Sequence, residues 1–121
     1  MAEQLIDFDF LEDLSGGDPV YKYELLGIFL DTMDDGLVKL KKHIKESGDM
    51  DATFKQAHAL KSSAGVIKVK DMHAQLARIE ELGRADTGKD EIEQLFDSLE
   101  ETYSVARPIL VKTRAANKPA E

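Results

Sequence analysis

The stretch PVYKYELLGIFLDTMDDGLVKLKKHI, residues 19 to 44, decides the architecture. Leu26, Phe29, Leu30, Met33, Leu37, Leu40 and Ile44 recur in it at three- and four-residue steps, the spacing of one helical face. Asp18 stands where an N-cap belongs, and Pro19 follows at the first helical position, where a missing N–H costs nothing. The spacing therefore predicts a helix of about seven turns that stops near Gly48.

The same helical period continues in both directions, and no alternation of period two is long enough to argue for a strand. Upstream, Ile6 to Leu14 carries Phe10, Leu11 and Leu14 and ends at Gly16-Gly17. Downstream, Asp49 or Asp51 is placed to cap a third helix with Phe54, Ala57, Leu60, Ala64 and Ile67 inward. A fourth helix is expected from about Asp71 to Leu82, with Met72, Leu76, Ile79 and Leu82 inward and a turn from Gly83 to Gly88. The last carries Ile92, Leu95, Phe96, Leu99, Tyr103, Ala106 and Leu110. Pro108 has no N–H to bond back to Ser104, which predicts a kink or an end there. From Arg114 the tail is polar and expected to fray. Long amphipathic helices on short loops predict an all-α fold: an antiparallel up-down-up-down four-helix bundle with a short N-terminal capping helix. One domain is expected over residues 1–121, its bundle spanning about 5–112.

Composition narrows the chemistry. With no cysteine, disulfides, thiol nucleophiles and cysteine-ligated zinc are excluded. No apolar run approaches the ~20 residues of a spanning helix, and Met1 to Gln4 is short and polar, so a cytoplasmic protein without a membrane partner is expected. A net charge of −8 argues against nucleic acid as a main partner. Yet Ala52 to Lys70 contains no Asp or Glu and four lysines, Lys55, Lys61, Lys68 and Lys70. A local positive face on an acidic chain suits an anion or an acidic partner; a charge fluctuation on a solvated surface would look the same.

His58 lies in that basic segment, and counting by helical steps places Lys61, Ser62 and Gly65 on its side, with Phe54 one turn earlier. The inward stripe of this helix lies beside that face, so the imidazole is expected to point outward over small residues. Gly65 inside a helix costs roughly 1 kcal/mol relative to alanine. Close approach by another protein's backbone would explain it; so would tight packing of two helices, or fraying near the helix end.

The segment His58-Ala59-Leu60-Lys61-Ser62-Ser63-Ala64-Gly65 resembles the phosphohistidine motif of histidine-containing phosphotransfer (HPt) domains of bacterial two-component phosphorelays, roughly H-x-L-K-G-[SA]-[SA] and then a second glycine. Leu76 and Ile79-Glu80 resemble the L-x-x-L-E stretch of the following helix, and Glu24-Leu25-Leu26 and Phe29-Leu30 the family's second helix. The likeness covers about residues 5 to 112. Two positions depart from it: Ser62 replaces a usual glycine, and Lys68 stands where the family has glycine in a turn. That lysine must accept a left-handed conformation or let the turn reorganise.

The resemblance implies that His58 accepts a phosphoryl group from a receiver-domain aspartate and passes it to another receiver. Those receivers would be response regulators or part of a hybrid sensor histidine kinase. It implies that Lys61 screens phosphoryl charge, that Ser62 and Gly65 make room for the receiver beside Phe54, and that Lys55, Lys68 and Lys70 aid docking. Mg²⁺ would sit in the receiver; the chain itself, a monomer, would need no cofactor or metal and have no autokinase activity. Two rivals share these residues: an adaptor that binds a receiver or kinase without being phosphorylated, and a phosphotransfer domain excised from a larger sensor or chemotaxis-type kinase.

Other motifs carry less. A di-iron site in a helix bundle needs Glu-x-x-His pairs, but Leu40, Lys55 and Lys70 precede His43, His58 and His73 by three. Ser47, Ser62 and Ala77 follow the same histidines by four, so no His-x-x-x-Glu or His-x-x-x-His pair exists. His43 and His73 read as ordinary surface or boundary residues. Gly83 to Asp90 nearly spells a phosphate-binding loop, but Asp90 replaces the required Ser or Thr and no strand precedes it.

Overall fold

A computed structural model describes residues 4–120 and is all-helical, with no strand among the described residues. Five α-helices run α1 (Phe8–Ser15), α2 (Pro19–Lys41), α3 (Met50–Ala64), α4 (Met72–Arg84) and α5 (Lys89–Ala116). The Asp18 side chain accepts from the Val20 N–H at 3.0 Å, and Pro19 opens α2 as its position predicts. The helical path continues to Gly48, but Lys42–Ser47 is wound as a π-helix that ends on left-handed Gly48. Asp49, and not Asp51, caps α3 by accepting from Ala52 N–H at 3.1 Å.

Helices α2 and α4 each pack against both α3 and α5, and α1 lies on α2. The core holds the whole expected stripe of α2, with Leu60, Leu76, Ile79, Phe96 and Leu99 among its most buried members. Ion pairs mark the register of the long helices: Lys45 meets Asp97, Lys41 meets Glu100 and Asp34 meets Arg107. On the next seam Arg78 meets Glu91, and Gln75 donates to Ser98. Glycine permits close approaches along both seams of α3. A Cβ on Gly36 of α2 would lie 2.3 Å from Leu60 Cδ2, and one on Gly83 of α4 would lie 2.9 Å from Phe54 Cβ.

Several expectations need correction. Phe54, expected inward, is half-buried at the edge of the core. Helix α4 runs past Leu82 to Arg84. Pro108 does not end α5, nor does the chain lose helix at Arg114: α5 continues to Ala116. Its last turns are fastened to α2, where Arg114 Nε donates to the Tyr23 carbonyl at 3.1 Å and its guanidinium lies 3.9 Å from the Tyr23 ring.

Lys68 escapes the left-handed conformation because the α3–α4 connection reorganises, and Asp71 takes the positive φ of 64° instead. Ile6 forms an isolated antiparallel bridge with Val69. Asp7 N–H donates to Lys68 O at 2.9 Å, and Lys70 N–H to Leu5 O at 2.8 Å. The N-terminal segment thus pairs with the loop that follows α3.

Candidate functional site

Helices α3 and α4 meet along a seam, and the groups with chemistry lie on it. Ala57 and Leu60 are buried, which turns His58 between them outward; its side chain is 64% exposed. The imidazole nevertheless has a fixed partner. Its Nδ1 lies 2.8 Å from Oε2 of Glu80 on α4. The same carboxylate meets Lys61 Nζ at 2.8 Å through Oε1 and Arg84 Nη2 at 2.9 Å through Oε2.

Glu80 is the centre of this cluster, with a side chain only 9% exposed. A buried carboxylate is normally held up by desolvation, but here Lys61 above all, then His58 and Arg84, outweigh burial and push its pKa down to about 2. Near neutral pH Glu80 is therefore ionised and can only accept hydrogen bonds. The short contact then makes Nδ1 of His58 the donor. In a neutral imidazole, that leaves Nε2 without a proton and with its lone pair toward solvent.

The structure gathers only some of the residues that the sequence singles out. Lys61 joins His58 through Glu80, and Ser62 is exposed one turn beyond. Gly65 is the C-cap of α3 with φ of −84°, and a Cβ there would meet nothing closer than 3.4 Å. Neither backbone conformation nor helix packing demands glycine at that position. Phe54 lies under the Arg84 guanidinium, 4.9 Å from its ring centre. Lys55 is exposed and paired with Asp51 at 2.8 Å, apart from the Glu80 cluster. Lys68 faces α1, its Nζ 3.9 Å over the Phe10 ring, and with Lys70, Gly65 and His73 it lines an open cleft of about 760 Å³ beyond the end of α3. His43 is half-buried in the π-helical turn.

Sequence reasoning missed Glu80 and Arg84 as site residues. A signal existed for the first. Glu80 stands four residues after Leu76 and next to Ile79, on the inward side of α4, and glutamate is almost never buried unless paired.

A family model described as the Hpt domain matches residues 24–107, which take in all of α3 and α4. The chain belongs to the HPt domain family. Comparisons with curated proteins and with solved structures returned no match. HPt domains carry out histidine phosphotransfer and interact with receiver domains in phosphorelays, and the all-helical fold agrees with that membership. Among the described residues of this HPt domain, no three His, Asp or Glu side chains are grouped to hold a metal, and no helix is long and apolar enough to cross a membrane.

Proposed function

We propose that this HPt domain is a phosphorelay intermediate whose acceptor is Nε2 of His58. The observation that carries the reading is the 2.8 Å contact between Nδ1 and the buried Glu80 carboxylate, which presents the opposite ring nitrogen to a partner. In the transfer, the Nε2 lone pair attacks the phosphorus of a receiver's aspartyl phosphate. An N–P bond forms as the acyl-phosphate O–P bond breaks, and the aspartate leaves as a carboxylate. Positive charge that develops on the ring is met by Glu80 through the Nδ1 proton, which stays in place. Phosphoryl transfer asks mainly for such positioning and charge stabilisation. The reverse reaction, on a second receiver, passes the group onward.

Lys61 sits one turn from His58 and can turn from Glu80 toward the phosphoryl oxygens, which its charge stabilises. Ser62 and Gly65 keep the approach low, with Phe54 at one end of the seam and the lysines beyond α3 at the other. The receiver's own acidic pocket supplies the Mg²⁺ that shields the phosphoryl charge. The helix register supports an antiparallel up-down-up-down order for α2 to α5, with α1 as the cap. We place the protein in the cytoplasm as a monomer that works with response-regulator receivers or the receiver of a hybrid kinase.

The test is incubation with a panel of phosphorylated receiver domains and Mg²⁺, beside His58→Gln. Acid-labile, base-stable phosphate on the wild type and none on the variant is the expected result. Label that persists in the variant moves the site to His43 or His73. An unlabelled wild type that still binds a receiver makes the protein an adaptor.

A further inference from the structure

Glu80 Oε2 receives two donors, Nδ1 of His58 at 2.8 Å and Nη2 of Arg84 at 2.9 Å. Arg84 is the last residue of α4, and its guanidinium is braced 4.9 Å from the Phe54 ring of α3. Buried Gly83 makes that brace possible, because a Cβ there would come within 2.9 Å of Phe54 Cβ and 3.2 Å of its backbone nitrogen. The carboxylate is thus gripped at Oε1 from α3 by Lys61 and at Oε2 from α4 by Arg84.

We propose that Arg84 is a positioning residue for phosphoryl transfer: its hydrogen bond to Oε2 locks the Glu80 carboxylate against Nδ1 of His58 and so keeps the imidazole proton off the attacking nitrogen. The proposal rests on His58 as the acceptor. Without Arg84 the carboxylate keeps the Lys61 ion pair at Oε1 and, at Oε2, only the His58 contact that it is meant to fix, and it turns more freely about its last side-chain bond. The form of the ring with its proton on Nε2 then becomes populated, and that form has no lone pair to offer there. A docking role for Arg84, 62% exposed at its side chain, predicts something different: weaker receiver binding with unchanged chemistry.

The test compares the full chain with Arg84→Met and Arg84→Lys by two readouts. Long-range ¹⁵N–¹H spectra of the unphosphorylated protein read which ring nitrogen of His58 carries the proton in the neutral form. The Nδ1–H share falls in the methionine variant and is intermediate in lysine, which keeps the charge but loses the planar fork. In transfer from a phosphorylated receiver, Arg84→Met lowers kcat about three- to tenfold at unchanged KM, the scale of one exposed charge-assisted hydrogen bond. An unaltered proton distribution overturns the proposal, as does a loss confined to KM. If the wild type accepts no phosphoryl group at all, the phosphorelay reading fails, and the spectra still decide what Arg84 does to His58.

Discussion

Replacing Glu80 with glutamine removes one charge from the middle of the α3–α4 seam and leaves its shape nearly intact. Moving a carboxyl from 4.5 in the unfolded chain to about 2 in the folded one is worth at most ~3 kcal/mol at neutral pH. Two of its three partners, His58 and Arg84, have side chains 64% and 62% exposed, so solvent screening reduces the expected cost to about 1–2 kcal/mol. The pH dependence carries the sharper test. Because the folded-state carboxyl titrates below the unfolded one, its contribution is fully present above about pH 4.5 and is lost as pH falls through about 2. Urea unfolding followed by circular dichroism, on wild type and Glu80→Gln at pH 7 and at pH 2.5, measures both limits. Every other titrating group is common to the two proteins, so the difference between them isolates this cluster. The gap should be full at pH 7 and mostly closed at pH 2.5. An equal gap at both pH values would refute the electrostatic account and leave only packing.

Three further outcomes follow from the packing. Gly36→Ala forces a methyl to within 2.3 Å of Leu60 Cδ2, and this overpacking should outweigh alanine's helix preference and leave a net loss of about 1–2 kcal/mol in a urea melt. Pro108→Ala at an exposed site inside α5 restores an N–H for the Ser104 carbonyl and should raise the melting temperature; no rise would mean that α5 already accommodates the proline without loss. Tyr103→Phe deletes the hydroxyl that donates to Asp34 Oδ1 at 2.7 Å, and should cost about 1 kcal/mol in the same melt while Arg107 keeps its own bonds to Asp34.

The parts of this protein that were legible in the sequence are those set by local period. All seven residues of the stripe that runs through α2 into the π-helical turn are buried, because an amphipathic period commits one face of a helix to the core. His58 was read as outward-facing for the same reason, from the buried positions that flank it. What escaped was set by contacts between distant segments. At Lys68 the sequence shows only the needs of a local turn, but the loop there pairs with Ile6 and Asp7, about sixty positions away in the chain, and the positive φ falls at Asp71. Pro108 was weighed by its own missing bond, whereas α5 is held through it by Arg107 on Asp34 and Arg114 on Tyr23. Glu80 stood in plain view inside a family motif, yet its three partners come from both helices and become visible only when the seam is formed.

The pairing of Leu5, Ile6 and Asp7 with the loop after α3 bears on where this domain begins. The segment shared with the family starts at Glu24 and ends at Arg107, but Ile6, Leu11 and Leu110, all buried, lie outside it. A fragment trimmed to the shared segment would keep His58, Lys61, Glu80 and Arg84. It would also uncover Val69, strip the backbone partners from Lys68 and Lys70, and lose both members of the Arg114–Tyr23 contact that fastens the end of α5 to α2. Similarity thus outlines the chemical unit of the protein, whereas its packed core reaches outward in both directions, to Ile6 before the shared segment and Leu110 after it.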